Sequence, residues 1–311
     1  MSFILLIVGF VLLIKCADML VDGSTNLAKF FGVPTLIIGL TIVAFGTSAP
    51  EIAVSVTSAL KGENAISLGN VIGANICNLL LNLGVSGLFG SLVVKRKIIT
   101  RDFVYCIFSG LVLLILMFGS LSENGTGILT RTNGLILLCF FGVYLYDLIG
   151  EALSNARAKE EKIKFNFKDI ILIILGIAGV IIGGELVVDS ATKIATMLNI
   201  SQHVIALTIV SIGTSLPELV TFVVATRKGE TDLAIGNVVG SNIFNIFMIL
   251  GLSTSISPIA FNTESLTSVI FLFLVSIGVY LLLLKNYRIG NKKGIILLAT
   301  FIIYTIYLLV K

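Results

Sequence analysis

Charge is scarce in this sequence. Asp, Glu, Lys and Arg make up 12% of its 311 residues, against roughly 25% in a soluble domain. That excludes a chain that is mostly soluble mass. Histidine occurs once, at His203, read as an interfacial residue at the start of a span. The four cysteines (Cys16, Cys77, Cys106, Cys139) all lie in apolar runs without metal-ligand spacing. They read as small buried residues, and zinc or copper has no His/Cys cluster to occupy. No Gly-x-Ser-x-Gly turn is present, and with the lone histidine remote from the motifs below an enzyme has no nucleophile–base pair. The net charge of +4 comes from basic residues spread over loops, which is not a nucleic-acid footprint. The opening apolar run, 3–14, lacks a basic n-region and an Ala-x-Ala site, so it reads as a first span and not a signal peptide.

What is abundant is apolar sequence: 57% of residues, with a mean hydropathy of +1.09. The expected fold is an all-α membrane protein. Spans of roughly 20 residues have their cores at 2–24, 34–60, 65–90, 103–119, 133–150, 169–192, 202–226, 232–256, 266–284 and 294–310. The longest polar stretch, 151–168, is a short basic linker between a first half (1–150) and a second (169–311). With the N-terminus outside, sixteen of the 21 Lys and Arg residues fall on inner loops. They gather at 95–101, 157–168, 227–228 and 285–293. The positive-inside rule therefore places both termini outside a cell membrane.

The halves repeat one another. Gly39-Leu-Thr-Ile-Val-Ala-Phe-Gly-Thr-Ser-Ala-Pro-Glu51 returns as Ala206-Leu-Thr-Ile-Val-Ser-Ile-Gly-Thr-Ser-Leu-Pro-Glu218, with nine of the thirteen positions identical. An offset of 167 aligns 18–84 with 185–251 without a gap and brings Gly69–Asn78 onto Gly236–Asn245. The two motif regions are 39–84 and 206–251. Five spans separate equivalent points. Five is odd, so the halves are expected in opposite orientations, as in secondary transporters that bind their cargo near the midplane.

The repeated residues are poor choices for a plain span. Pro50 and Pro217 remove the helical partners of the Gly46 and Gly213 carbonyls, and freed carbonyls in a bilayer need other partners. Around them stand the hydroxyls of Thr47, Ser48, Thr214 and Ser215, the carboxylates of Glu51 and Glu218, and the amides of Asn78 and Asn245. An all-oxygen set suits hard cations such as Ca²⁺. Blander readings stand beside this one. Glu51 and Glu218 could be structural acids. The Gly-x-x-x-Gly pairs at 69/73 and 236/240 fit close helix packing, and Asn75 and Asn242 fit interhelical hydrogen bonding. Asp18/Asp22 and Glu185/Asp189 fit solvated interface pairs or a cation vestibule. Asn124-Gly-Thr126 matches a glycosylation acceptor on the predicted outer side.

The paired Gly-Thr-Ser-x-Pro-Glu stretches at 46–51 and 213–218, with Gly-Asn-x-x-Gly-x-Asn-Ile-x-Asn at 69–78 and 236–245, resemble the two alpha-repeats of the sodium/calcium exchangers, within the cation/Ca²⁺ exchanger superfamily. The resemblance implies an antiporter that trades Na⁺ for Ca²⁺ by alternating access. It implies eight short core helices, with long tilted first and sixth spans sliding across them. It also implies a central Ca²⁺ between Glu51 and Glu218 with backbone carbonyls at Thr47 and Thr214. One flanking Na⁺ site would lie around Ala44, Ser48 and Glu51, the other around Ser211, Thr214, Ser215, Glu218 and Ser241, with Asn78 and Asn245 bordering the middle. No cofactor beyond the transported ions and no obligatory protein partner are implied.

Two positions depart from the family pattern. Ala74 stands where a serine is usual, as Ser241 does in the second half, so one inner Na⁺ site loses a hydroxyl. Asn245 stands where potassium-dependent relatives carry Asp, which argues against K⁺ co-transport. The Gly-Asn motif lacks the Glu of the proton-coupled branch, which leaves a Ca²⁺/H⁺ antiporter as the alternative. A channel is disfavoured by the broken helices and inverted halves. Linker 151–168 has no room for a regulatory Ca²⁺-binding domain.

Overall fold

Long apolar runs fold into helices because a helix satisfies its own backbone, the requirement inside a bilayer. The structure, a computed structural model, describes residues 2–62, 64–89, 92–157, 166–198 and 213–310. Its helices are α1 (Ser2–Phe31), α2 (Thr35–Thr47), α3 (Ala49–Lys61), α4 (Ile66–Leu88), α5 (Ile98–Gly119) and α6 (Arg131–Arg157). They continue with α7 (Phe167–Met197), α8 (Leu216–Arg227), α9 (Thr231–Ile256), α10 (Thr263–Leu284) and α11 (Asn291–Val310). Among the described residues, eight helices are long and apolar enough to cross a membrane, or nine when the bent pair α2–α3 counts as one span. The expected seventh span is seen only in its second half, α8, because 199–212 lie outside the described residues.

Several helices outrun their apolar cores. Helix α1 continues past residue 24 to Phe31, and α6 runs on to Arg157, so the first residues of the expected linker are helical. Glu151, Ala152, Leu153 and Ala156 are good helix formers, and the backbone continues where hydropathy stops. Three of the cysteines are buried, but Cys139 on α6 is exposed, contrary to expectation. Its helix presents one side outward, with Leu135, Val143 and Tyr146 exposed too.

Helices α1 and α7 run antiparallel and lie against each other along their length. The seam is made of small residues. A Cβ on Gly179 would fall 2.1 Å from Cys16 Sγ, one on Gly176 2.8 Å from Leu20 N, and one on Gly23 2.7 Å from Asp169 O. Only glycine permits backbones this close. At one end Asn26 donates to Asp169 Oδ1 at 2.9 Å.

Helices α4 and α9 form the centre, α9 being buried from Leu233 to Gly251. Each contains a π-helical turn, Cys77–Asn82 and Phe244–Leu250, at matching places in the 167-residue repeat. Such turns re-aim side chains and recur at functional sites. Gly236 and Gly240 let α9 approach α2: their added Cβ atoms would lie 2.6 Å from Leu36 O and 2.8 Å from Leu40 Cα. The packing reading of this glycine pair therefore holds.

The halves interlock. The end of α4 packs on α11, where Gly87 meets Gly294, and the end of α9 packs on α6, where Gly134 meets Gly251. Two short ribbons join loops of different halves. Strand β1 (Leu92–Val93) pairs antiparallel with β4 (Arg288–Ile289), and β2 (Thr126–Leu129) with β3 (Ile259–Asn262). The first ribbon precedes α5 and the second follows it, so they sit at opposite ends of that helix.

Candidate functional site

Both motifs leave helical geometry at the same residue. Between α2 and α3 the chain bends by 50°. The bend falls at Ser48, whose φ/ψ of −81°/9° leaves the helical region. Ser215, before α8, has −89°/3°. Helices α3 and α8 each have proline in the first turn, Pro50 or Pro217, and an acid in that turn, Glu51 or Glu218. The positive end of a short helix thus backs each carboxylate. Proline fits the first turn because no backbone donor is needed there.

The acids are fully enclosed: Glu51 is 0% exposed and Glu218 1%. The two carboxyls lie close enough to interact. Ser48 donates to Glu218 Oε1 at 3.0 Å, and its Oγ lies 3.1 Å from Ser241 Oγ on α9. One hydroxyl of the first break thus joins the second acid and the central helix. Thr47 Oγ1 donates to Asn237 Oδ1 at 3.0 Å. Asn70 Nδ2 donates to Glu51 O at 3.3 Å and to Ser55 Oγ at 3.1 Å. Ala44 is buried in the turn before the break. The Thr214 side chain neighbours Glu51.

Oxygen atoms are left over. Among the described residues, Glu51 Oε1 and Oε2, Glu218 Oε2, Ser215 Oγ and Asn245 Oδ1 are buried without a hydrogen-bond partner. Buried acceptors without donors are costly. A cation that accepts electron pairs from several of them removes that cost. No three His, Cys, Asp or Glu side chains converge on one point among the described residues. The donors are two carboxylates with hydroxyls and amides, a set for a hard cation.

Asparagines knit the centre. Asn78 Nδ2 donates to Asn242 Oδ1 at 3.0 Å, and Asn245 Nδ2 donates to Asn75 Oδ1 at 2.8 Å. The offset of 167 converts one bond into the other. Asn75 and Asn242 are thus interhelical hydrogen-bonders, and Asn75 also donates to Asn242 O at 3.2 Å. The symmetry then fails at Asn82, where the second half has Ile249. Asn82 Nδ2 donates to Asn78 Oδ1 at 2.9 Å, so the Asn78 amide is engaged at both ends while Asn245 Oδ1 is unpartnered. A second asymmetry lies at the hydroxyls: Ser48 faces Ser241, but the repeat equivalents are Ser215 and Ala74.

The structure therefore gathers Ser48, Glu218 and Ser241 directly, and Thr47 and Asn237 beside them. Asn78 and Asn245 hydrogen-bond within the asparagine lattice. Ser211 lies outside the described residues, as does His203. Asn237, Asn70 and Asn82 escaped the sequence reading as site-forming residues. Asn237 and Asn70 are repeat equivalents, and that signal could have found them.

Comparison with known proteins gives a consistent picture. The family model described as sodium/calcium exchanger protein matches residues 1–150 and 168–310. The sodium/calcium exchanger MaX1 of Methanosarcina acetivorans is 32% identical over 99% of this chain and 98% of its own. The inner membrane protein YrbG of Escherichia coli is 36% identical over 82% and 79%. The structure of the sodium-calcium exchanger NCX_Mj soaked with Na⁺ and Sr²⁺ superposes with a TM-score of 0.82 at 33% identity, covering 97% of both chains.

Proposed function

Because the chain belongs to the sodium/calcium exchanger family, a family of membrane transporters and not of enzymes, we propose that it carries Ca²⁺ and Na⁺ in opposite directions by alternating access. The observation that carries this reading is the pair of enclosed carboxylates, Glu51 and Glu218, each in the first turn of a helix that begins just after a non-helical serine. Two carboxylates balance one Ca²⁺. Without it their charges repel, and Na⁺ ions at the spare oxygens replace it.

In this reading Ca²⁺ sits between Glu51 and Glu218 with the carbonyls of Thr47 and Thr214. One Na⁺ lies by Ala44, Ser48 and Glu51, another by Ser211, Thr214, Ser215, Glu218 and Ser241. Asn245 borders the middle more directly than Asn78, whose oxygen Asn82 already occupies. Three Na⁺ exchange for one Ca²⁺, and one net charge moves per cycle.

The chain makes ten spans in two inverted halves, 1–150 and 169–311, with both termini outside. The ribbons support this topology. Strands β1 and β3 begin at repeat-equivalent residues, Leu92 and Ile259, yet lie in ribbons at opposite ends of α5. Equivalent points of the halves would then face opposite sides of the membrane.

The test is radioactive Ca²⁺ uptake into proteoliposomes loaded with Na⁺, with H⁺ and K⁺ gradients as alternatives. Uptake driven by Na⁺ and accelerated by an inside-positive potential is expected. One moved charge is worth about 2.3 kcal/mol per 100 mV. Indifference to potential would reject the three-for-one ratio. Uptake driven by H⁺ and not by Na⁺ would overturn the exchanger reading in favour of a Ca²⁺/H⁺ antiporter.

A further inference from the structure

Asp18 and Asp22 lie one turn apart on α1, and one lysine reaches both. Lys228 Nζ, just beyond α8, stands 2.7 Å from Asp18 Oδ1 and 2.7 Å from Asp22 Oδ1. It also donates to Asp18 O at 3.2 Å. Burial opposes the ammonium charge, but the bonds and charges of Asp18 and Asp22 outweigh it, and the Lys228 pKa lies above its ordinary value. Around this contact α1 packs along α8, with Leu12 and Leu13 beside Leu216, Val220 and Val224. The two acids are half-exposed, as the solvated reading expects, and a lysine from another helix pairs with both.

The repeat offset of 167 maps this trio onto a second one. Asp18 corresponds to Glu185, Asp22 to Asp189, and Lys228 to Lys61. All three positions keep the sign of their charge in a chain with few charges. Glu185 and Asp189 sit on α7, the glycine-seamed partner of α1, and Lys61 ends α3 as Lys228 follows α8. Glu185, Asp189 and Lys61 are exposed, and the salt bridges among the described residues include none of them. Helix α7 makes almost no contact with α3, whereas α1 packs closely on α8. Along the antiparallel pair the two acidic patches are about 16 Å apart, from eleven residues of helical rise.

We propose that the two trios are alternating ion-pair latches on opposite faces of the transporter. Lys228 with Asp18 and Asp22 closes one face in the conformation seen here. Lys61 with Glu185 and Asp189 closes the other after the α1–α7 pair shifts across the core. The inference rests on the alternating-access reading. In inverted halves, a contact made by one half in one state is made by its equivalent in the other. Because close glycine contacts tie α1 to α7, the pair moves as one body, and making one latch breaks the other. Exposed ion pairs are weak, so the latches bias populations and do not freeze the cycle.

The test uses the full chain in proteoliposomes, in a background with Cys16, Cys77, Cys106 and Cys139 replaced and exchange retained. Two double variants, Asp22→Cys with Lys228→Cys and Asp189→Cys with Lys61→Cys, are treated with a short cleavable thiol cross-linker. Each pair is expected to cross-link and to stop exchange until the linker is cut. In a protein carrying both pairs, closing one is expected to block the other. Failure of the 61/189 pair to cross-link in Na⁺, Ca²⁺ and ion-free media, or closure of both pairs in one molecule, overturns the proposal. Charge removal gives a second readout. Lys228→Gln and Lys61→Gln are expected to shift thiol labelling of a reporter cysteine at one face in opposite directions, each about threefold to fivefold, the scale of two exposed pairs. Shifts of the same direction, or none, overturn it. An unmodified chain that shows no Na⁺-driven Ca²⁺ uptake would reject the exchanger reading, and the cross-links and labelling would still decide the latches.

Discussion

Glu51→Gln separates a cargo-binding acid from a structural one. The amide keeps the shape of the side chain and removes one negative charge from a position that is 0% exposed. Breaking a buried set of opposite charges costs about 3–5 kcal/mol. At about 1.36 kcal/mol per decade, Ca²⁺ binding is expected to weaken by roughly two to four orders of magnitude. Ion-free stability is expected to move the other way. The repulsion between two enclosed carboxylates disappears. A gain of about 1 kcal/mol raises Tm by roughly 2–4 °C at this size. Ca²⁺ dependence of uptake in Na⁺-loaded vesicles and thermal unfolding in ion-free detergent measure both effects. An unchanged Ca²⁺ dependence together with a lowered Tm would refute the reasoning and make Glu51 a structural acid.

Three further outcomes are expected. Ala74→Ser restores a hydroxyl opposite Ser215, as Ser241 faces Ser48, and is expected to lower the Na⁺ concentration for half-maximal exchange about twofold to fivefold, one neutral hydrogen-bonding group being worth roughly 0.5–1.5 kcal/mol; an unaltered Na⁺ curve counts against a Na⁺ site there. Gly236→Ala pushes a Cβ to 2.6 Å from Leu36 O and is expected to cost about 1–3 kcal/mol. Gly278→Ala meets nothing within 4 Å and is expected to leave Tm unchanged or raised, so equal melting of the two would contradict the packing. Cysteines at the repeat equivalents, Leu60→Cys and Arg227→Cys, are expected to react with an impermeant reagent from opposite sides of the membrane; labelling from one side would break the inverted topology.

Hydropathy marked most helices because a membrane span has to be apolar along nearly its whole length. It missed helix ends such as 151–157, where charged helix formers carry α6 onward. The breaks at Ser48 and Ser215 were legible through proline four residues after glycine, since proline leaves a carbonyl unbonded. The π-helical turns at Cys77–Asn82 and Phe244–Leu250 have no comparable signal, because no single residue type forces an extra residue into a turn. The loop ribbons were hidden too. Each strand is two to four residues long and finds its partner in the other half of the chain. The Asp18–Asp22–Lys228 contact spans more than 200 residues of sequence, so only the matching charges at 185, 189 and 61 hinted at it. The partnership of Ser48 with Glu218 and Ser241 was not legible, since the family resemblance set Ser48 beside Glu51, and neither was the blocking of Asn78 by Asn82, which has no equivalent in the second half.

The interlock of the halves bears on how the protein is made. The end of α4 finds its glycine-lined partner on α11, near Gly294, about 200 residues later in synthesis. At about 5–20 residues per second, a nascent first half waits some 10–40 seconds with that face uncovered. Insertion into the membrane must therefore run ahead of packing, and an isolated first half has no finished fold to reach. The same constraint ties the evolution of the halves together. A change at Gly87 is felt by Gly294 and one at Gly134 by Gly251, so neither half of the duplicated sequence is free to drift alone.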